Sequence, residues 1–555
     1  MLSHPRECCV APNPRLVARS CAAAAALTTA LSARAAEPRS SAPPASAAPP
    51  SAEAPSGADA APRAPRDDAW DAWGEARARY LVMSQVVEDD AGSPLAPERW
   101  AMSRLVAGTR VEVTESLGLD LELEALSGRA AGDTTALGTS FGERPFPMAR
   151  DDAGDLERVL PRKAVVRLRT GIGQFSLGAQ TLTWGTGMLA NDGAGDPAFG
   201  DPWMGNVLAR VGFGTRPLQE SATRPFLRSL TVFVAGGWVL RDDNASLYEG
   251  DRALAGVAGV RAEHSGDALG VLFVARHQRD RAEALRPGGE RAETTAFVTD
   301  AHGKLTLPTT DASRLSLEAE TAVVVGRSTR PWSDATWRDG SRIFQLGAIS
   351  RVRWDDDASH LTALLEGGYA SGDNDPRDRV SRTFTMHTDH NVGLVLFDQV
   401  LPLLSARGVD RLDDPTLVAT PPPGTRYAVN PGSVQNALYL HPVVKLRPLP
   451  PLDLRLGYLY ATPAADVLDA YQTGINAGFV TSYGGRTQNR KAYGHEVDAR
   501  ATWDLALPGA LVVRAGAEGG VLLPGGAFDG VAALERDGGG KKPVWLGRAL
   551  LSVLW

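Results

Sequence analysis

The carboxylates in NDGAGDPAFGD and SGDNDPRD are the first residues whose type and spacing invite chemistry. Asp192 and Asp196 in one run, and Asp373 and Asp375 in the other, place hard oxygen donors in Gly-rich turns, the setting Ca²⁺ takes. Neither run has EF-hand spacing or its terminal Glu, so hydrated turn chemistry is the preferred reading and calcium the weaker one. His387 and His390 in HTDH are three residues apart in a polar stretch, which is a poor pattern for a transition metal. A barrel hydrolase needs a Ser nucleophile beside a His base, yet no His-x-Ser occurs, and His495 is followed two residues later by Val497. A triad assembled in space from distant positions stays open. No GxxxxGK[ST] phosphate loop is present. The three cysteines, Cys8, Cys9 and Cys21, all lie near the N-terminus, so the body of the chain has no thiol chemistry. The expectation is a protein that is not an enzyme and carries no cofactor and no metal.

A larger set of charged residues recurs with a period of two, and the elements that must position them are strands. In LGLDLELEA the residues Leu117, Leu119, Leu121, Leu123 and Ala125 share one side, and Asp120, Glu122 and Glu124 share the other. Similar segments follow one another along the chain. Soluble sheets alternate too, so the connections carry more information than the strands. Short connections fall at 116–118, 171–173, 264–267, 355–359, 449–451 and 507–509. Long polar ones lie between them, including 185–206, 242–251, 327–341, 372–433, 462–491 and 524–543, with middling turns near 216–227 and 302–312 in short slots. Strict alternation of short periplasmic turns and long extracellular loops marks a transmembrane antiparallel β-barrel of the outer membrane. The parity works with 372–433 as one loop and a first strand at ARYLVMSQVV, which gives an all-β chain of about eighteen strands.

Bulk properties agree. A net charge of −7 and a pI near 5.8 argue against a nucleic-acid partner. Arg15 and Arg19 precede the apolar run CAAAAALTTAL, and Ala33-Arg34-Ala35 is a small-x-small cleavage site, so residues 1–35 read as a signal peptide for export. A lipid-bearing Cys21 and a disordered cytoplasmic tail are the alternatives for this leader. Residues 36–69 form a Pro/Ala/Ser-rich tether, and the barrel takes 70–555.

With phase set by the apolar side of each strand, the other side collects Arg110, Arg167, Arg169, Arg241, Arg276, Glu318, Glu320, Arg351, Arg353, Glu366, Arg455, Glu496, Asp498, Arg500, Arg514, Glu518 and Arg548. An Arg or Lys facing lipid near mid-bilayer costs about 2–4 kcal/mol, so these residues are expected to line a polar lumen. Two readings follow for the arginines: as a set they attract anions, or each pairs with a neighbouring acid and stiffens the wall. Within 372–433 the run TFTMHTDHNVGLVLFDQVLPLL is too apolar for a hydrated loop, so it is expected to fold back into the lumen as a plug. At the C-terminus, Leu551, Val553 and Trp555 share the apolar side of a last strand that must pair with the first.

The stretches FSLGAQTLTWGTGMLANDG, GYASGDNDPRDRVSRTF and GHEVDARATWDLALPGALVVRAGAEGGVLLPGGAF, in that order, resemble motifs of the alginate-export-type outer-membrane porins. Where that family has Gly-Arg-Gln, this chain has Gly178-Ala179-Gln180, and WGTGMLANDGAGDPAFGD is also similar to an uncharacterised set of Gram-negative outer-membrane barrels. The resemblance implies a monomeric barrel of about eighteen strands whose arginine-rich lumen passes an anionic polysaccharide or a smaller anion. Its terminal aromatic implies recognition by the barrel assembly machinery. The function expected is therefore that of a porin or exporter, with outer-membrane lipid and an anionic solute or polysaccharide as partners. The alternative is a non-conducting barrel whose loops bind surface polymer.

Overall fold

The computed structural model describes residues 70–135, 137, 159–203, 205–282, 291–330, 340–420, 422, 424–508 and 511–555. The expected leader and tether lie outside these residues. Twenty strands share one sheet, of which two are two-residue pieces, Ala245–Ser246 and Val380–Ser381. The remaining eighteen close into an antiparallel barrel. They are β1 Trp70–Met83, β2 Arg99–Glu112, β3 Leu117–Gly132, β4 Val159–Thr170, β5 Gly173–Thr181, β6 Val207–Thr215, β7 Thr231–Asp242, β8 Arg252–His264 and β9 Asp267–Ala282. The second half is β10 Arg291–Pro308, β11 Ser313–Ser328, β12 Ser341–Asp356, β13 Leu361–Ala370, β14 Ala437–Leu449, β15 Leu452–Thr462, β16 Gly494–Ala506, β17 Val512–Pro524 and β18 Val544–Leu554.

Connection lengths alternate as the sequence predicts, with one end of the barrel carrying 113–116, 171–172, 265–266, 309–312, 357–360, 450–451 and 507–511. The middling connection on that end, 216–230, contains one helical turn, Pro225–Arg228. The expected turn near 302–312 is smaller than the sequence suggested. Gly303 and Lys304 stay in strand because Lys304 pairs with Ala268 on one side and Glu318 on the other, so only 309–312 turns. The first strand also begins earlier than ARYLVMSQVV, at Trp70.

Alternation follows from having water and side chains inside and an apolar exterior. On β3, Leu121 and Leu123 are about half exposed on the outer face, whereas Asp120, Glu122 and Glu124 are buried inside. The same phase places Phe273, Phe297, Phe344, Val497 and Trp545 outward. No helix among the described residues is long and apolar enough to cross a membrane. Closed barrels cross with strands, since closure leaves no backbone edge unsatisfied in lipid.

Closure occurs between β1 and β18, where Glu75 to Met83 pair with Leu554 to Leu546. Gly74 and Trp555 extend the seam by exchanging backbone hydrogen bonds of 3.0 and 3.1 Å. A Cβ on Gly74 would stand 2.1 Å from the Trp555 indole, so the ring lies across that glycine on the outer face. Aromatic rings anchor barrels at the membrane interface. Removing Trp555 is expected to lower the yield of heat-modifiable barrel in membranes while leaving ion selectivity unchanged. A normal yield would show that the indole has no part in assembly.

Candidate functional site

Two connections on the long-loop end turn inward, and inward-facing charges of the wall hold them. The first is 182–206, whose Gly/Asp-rich sequence lets the backbone double back. Thr186 Oγ1 donates to Glu320 on β11 at 2.6 Å, and the Thr186 amide donates to the same carboxylate. Across the lumen, Arg455 of β15 grips Asp196 at 2.8 Å and donates to the Pro197 carbonyl at 2.8 Å. Asp201 receives Arg79 at 2.7 Å, Arg548 at 3.5 Å and Arg77 at 3.7 Å, so it ties β1 to β18. Burial pushes the Asp201 carboxyl up, but the guanidiniums of Arg77, Arg548 and Arg79 outweigh it and hold the group well below the usual carboxylate range. Arg77 and Arg104 also donate to the Pro202 carbonyl and lie over the Trp203 ring. Phe199 is fully buried against Gly457 and His441.

The second is 371–436. Phe384 packs on Gly347 of β12, where a Cβ would stand 2.2 Å from the ring. His390 reaches Glu366 of β13 at 3.2 Å, and Tyr439 of β14 donates to the same carboxylate at 2.6 Å. Glu496 of β16 accepts the backbone amides of Leu394, Val395 and Leu396 at 2.6 to 2.8 Å. Three backbone amides converging on one buried side chain make a strong anchor, because each amide would otherwise be left unsatisfied in the interior. Phe397 and Val400, and Leu403 and Leu404 of the helix Leu401–Asp413, are buried behind this anchor. Asp389 joins the two segments by accepting the amides of Trp203 at 2.6 Å and Gly205 at 2.7 Å.

The remaining expected lumen residues all face inward, and the arginines are paired. Arg110 meets Asp120, Arg167 meets Glu112 and Asp120, and Arg169 meets Glu112. Arg241 meets Glu124, Arg276 meets Asp242, and Arg351 bridges Glu318 and Glu366. Arg353 meets Asp355, Arg514 meets Asp504, and Arg548 and Arg500 both face Glu518. Asp498 is fully buried beside Glu496.

The calcium candidates are engaged elsewhere. Asp196 is held by Arg455 and Lys445, Asp373 by Arg382, while Asp192 and Asp375 cap the Ala194 and Arg377 amides of their own turns. His387 contacts Asn206 and Asp243 and does not share a site with His390. Among the described residues no group of three or more His, Cys, Asp or Glu is placed to hold a metal.

The inner wall is not polar throughout. On β6 to β9, inward positions include Leu208, Val239, Val257, Leu272 and Val274, which border a cavity of about 1030 Å³ toward the long-loop end. Its other lining residues include Arg241, Arg276, Asp280 and Tyr427. Alternation of residue type does not mark this stretch of wall, because both faces of these strands are apolar there. The inward course of 182–206 was also missed, although Phe199 and Trp203 in an otherwise polar connection carry the signal: rings of that size need a surface to bury against.

The fold and its contents thus define a class, an eighteen-strand antiparallel barrel occluded by two of its own connections. Among solved structures the chain is similar to the outer membrane protein OprD from Pseudomonas aeruginosa at 10% identity and TM-score 0.46, covering 88% of this chain and 94% of that one. OccAB2 of Acinetobacter baumannii gives 10% identity, TM-score 0.48, and 88% and 98% coverage. OpdQ of Pseudomonas aeruginosa gives 10%, 0.45, and 88% and 97%. No protein-family model and no curated protein matches the sequence.

Proposed function

We propose that this chain is an outer-membrane channel for small solutes, with segments 182–206 and 371–436 as its constriction. The observation that carries the reading is the cavity of about 1030 Å³ left between the inward-folded segments and the wall. Barrels of this strand number enclose an aqueous lumen unless something fills it. Of the two uses implied by the resemblance to alginate-export-type porins, passage of small solutes fits this divided lumen better than threading of a polysaccharide.

Anion preference finds its support at the short-turn mouth. Inside the barrel most guanidinium charge is cancelled by a carboxylate at contact distance. At the mouth Arg110, Arg353 and Arg447 are 51%, 54% and 54% exposed, whereas their partners Asp120, Asp355 and Asp453 are 11%, 10% and 13% exposed. At these three pairs a solute meets the guanidinium before its partner carboxylate, although Asp357 at the same end is itself 69% exposed, and arginines lining an entrance favour anions. Reconstituted protein in a salt gradient is expected to show a reversal potential on the chloride side, and joint Gln substitution of Arg110, Arg353 and Arg447 should move it toward zero. Cation selectivity in the intact protein would sink the anion reading. The burial of both segments also favours a second reading, a closed structural or adhesive barrel, and absence of any conductance would decide for it.

A further inference from the structure

Outside the barrel, five consecutive strands carry exposed arginines at the long-loop edge of the apolar band: Arg252 on β8, Arg279 on β9, Arg291 on β10, Arg327 on β11 and Arg342 on β12. Arg252 is the cross-strand partner of Arg279, and Arg327 is the partner of Arg342. Side chains directly opposite on a sheet have Cβ atoms about 5 Å apart, and like charges there destabilise the pair. Glu293, partnered with Arg279 at 3.1 Å, is the one carboxylate in the row among the described residues. Arg252, Arg327 and Arg342 have no carboxylate partner among those residues, in contrast to the paired arginines of the lumen.

Two residues closer to mid-membrane on the same face, Leu254, Val325 and Phe344 are 47%, 41% and 58% exposed, and Phe297, four residues beyond Glu293 on β10, is 53% exposed. The row is therefore continuous with the lipid-facing wall. It is also concentrated on this arc, Arg99 on β2 being a single exposed arginine at the same edge elsewhere among the described residues. At the corresponding edge of β15 to β18 the outward residues are Tyr460, His495, Leu523 and Trp545. A general interfacial anchor would have no reason to gather its guanidiniums on one arc.

We propose that this arc binds the phosphorylated headgroup of a glycolipid in the outer leaflet. Guanidinium forks match phosphate oxygens bidentately, and anions between the directly opposed arginines would relieve their repulsion. The five strands span about 19 Å at the usual strand spacing, which suits a headgroup bearing more than one phosphate. The apolar row beneath supplies a surface for acyl chains, which free phosphate would leave unused. This binding does not depend on whether the lumen conducts.

The test uses the full chain in nonionic detergent, titrated with bisphosphorylated lipid A, with lipid A stripped of both phosphates, and with inorganic phosphate as competitor. Native mass spectrometry reads the bound lipid. The protein is expected to prefer the phosphorylated form, and joint Gln substitution of Arg252, Arg279, Arg327 and Arg342 should weaken binding at least about tenfold, with heat-modifiable migration and conductance unchanged. Glu293→Gln should tighten binding, and this variant decides the matter if the quadruple variant does not fold. Equal affinity for the two lipids, displacement of lipid by an equal concentration of inorganic phosphate, or weaker binding by Glu293→Gln would each overturn the proposal.

Discussion

Deletion of residues 376–430 is expected to raise single-channel conductance in planar bilayers several-fold. This segment occupies space against β12 to β17 that an eighteen-strand barrel would otherwise leave to water. The barrel should survive the change. Ala370 and Ala437, the residues flanking the connection, are cross-strand partners, so a short loop can join them without moving either strand. Removing the segment exposes Glu366 and Glu496 to water, which suits a carboxylate, and Glu366 keeps Arg351 at 2.5 Å as its counter-charge. What is lost is the apolar core around Phe397, Val400 and Leu403, with some stability. Conductance is therefore to be read on protein that shows a heat-modifiable band. Unchanged conductance from such protein would show that 371–436 does not limit flow, and the constriction would then be assigned to 182–206.

How far the sequence spoke for this arrangement depends on the chemical contrast between the two faces of each segment. LGLDLELEA has leucine on one face and carboxylate on the other, so its phase was legible and the structure keeps it. GVLFVARHQRD on β9 is apolar on both faces in its first half, and there alternation tells nothing about what the lumen holds. Arg276, Gln278 and Asp280 mark the inside only in the second half, while Leu272 and Val274 turn inward with them. Loop parity was legible because connection length is set by the side of the membrane and not by local propensity. The partners of the inward charges were not legible. Arg455 lies hundreds of positions from Asp196, and Glu496 takes main-chain amides, which have no signature in residue type. Turn-forming Gly and Asp in 182–206 masked a segment that is buried by its rings and by Asp201.

Replacement of Asp201 by Asn is expected to destabilise the barrel by about 3–5 kcal/mol, the usual cost of removing one partner of a buried ion pair. The carboxylate is 6% exposed and faces Arg79, Arg77 and Arg548, which are 3%, 9% and 5% exposed. Arg548 retains Glu518 and Arg77 retains Glu75, so the loss falls mainly on Arg79, whose other partners are neutral oxygens. Its position magnifies the effect. Arg77 and Arg79 belong to β1 and Arg548 to β18, so Asp201 clamps the closing seam from inside, opposite the face that Trp555 covers. The comparison is Asp504→Asn, which breaks a pair with Arg514 in which both groups are about one third exposed. Hydrated pairs of that kind contribute about 0–1 kcal/mol. Urea unfolding of refolded protein in detergent, followed by loss of the heat-modifiable band, should therefore move far more for Asp201→Asn than for Asp504→Asn. Equal midpoints for the two variants would mean that the seam is held by its backbone ladder and that loop 182–206 is a passenger in the lumen.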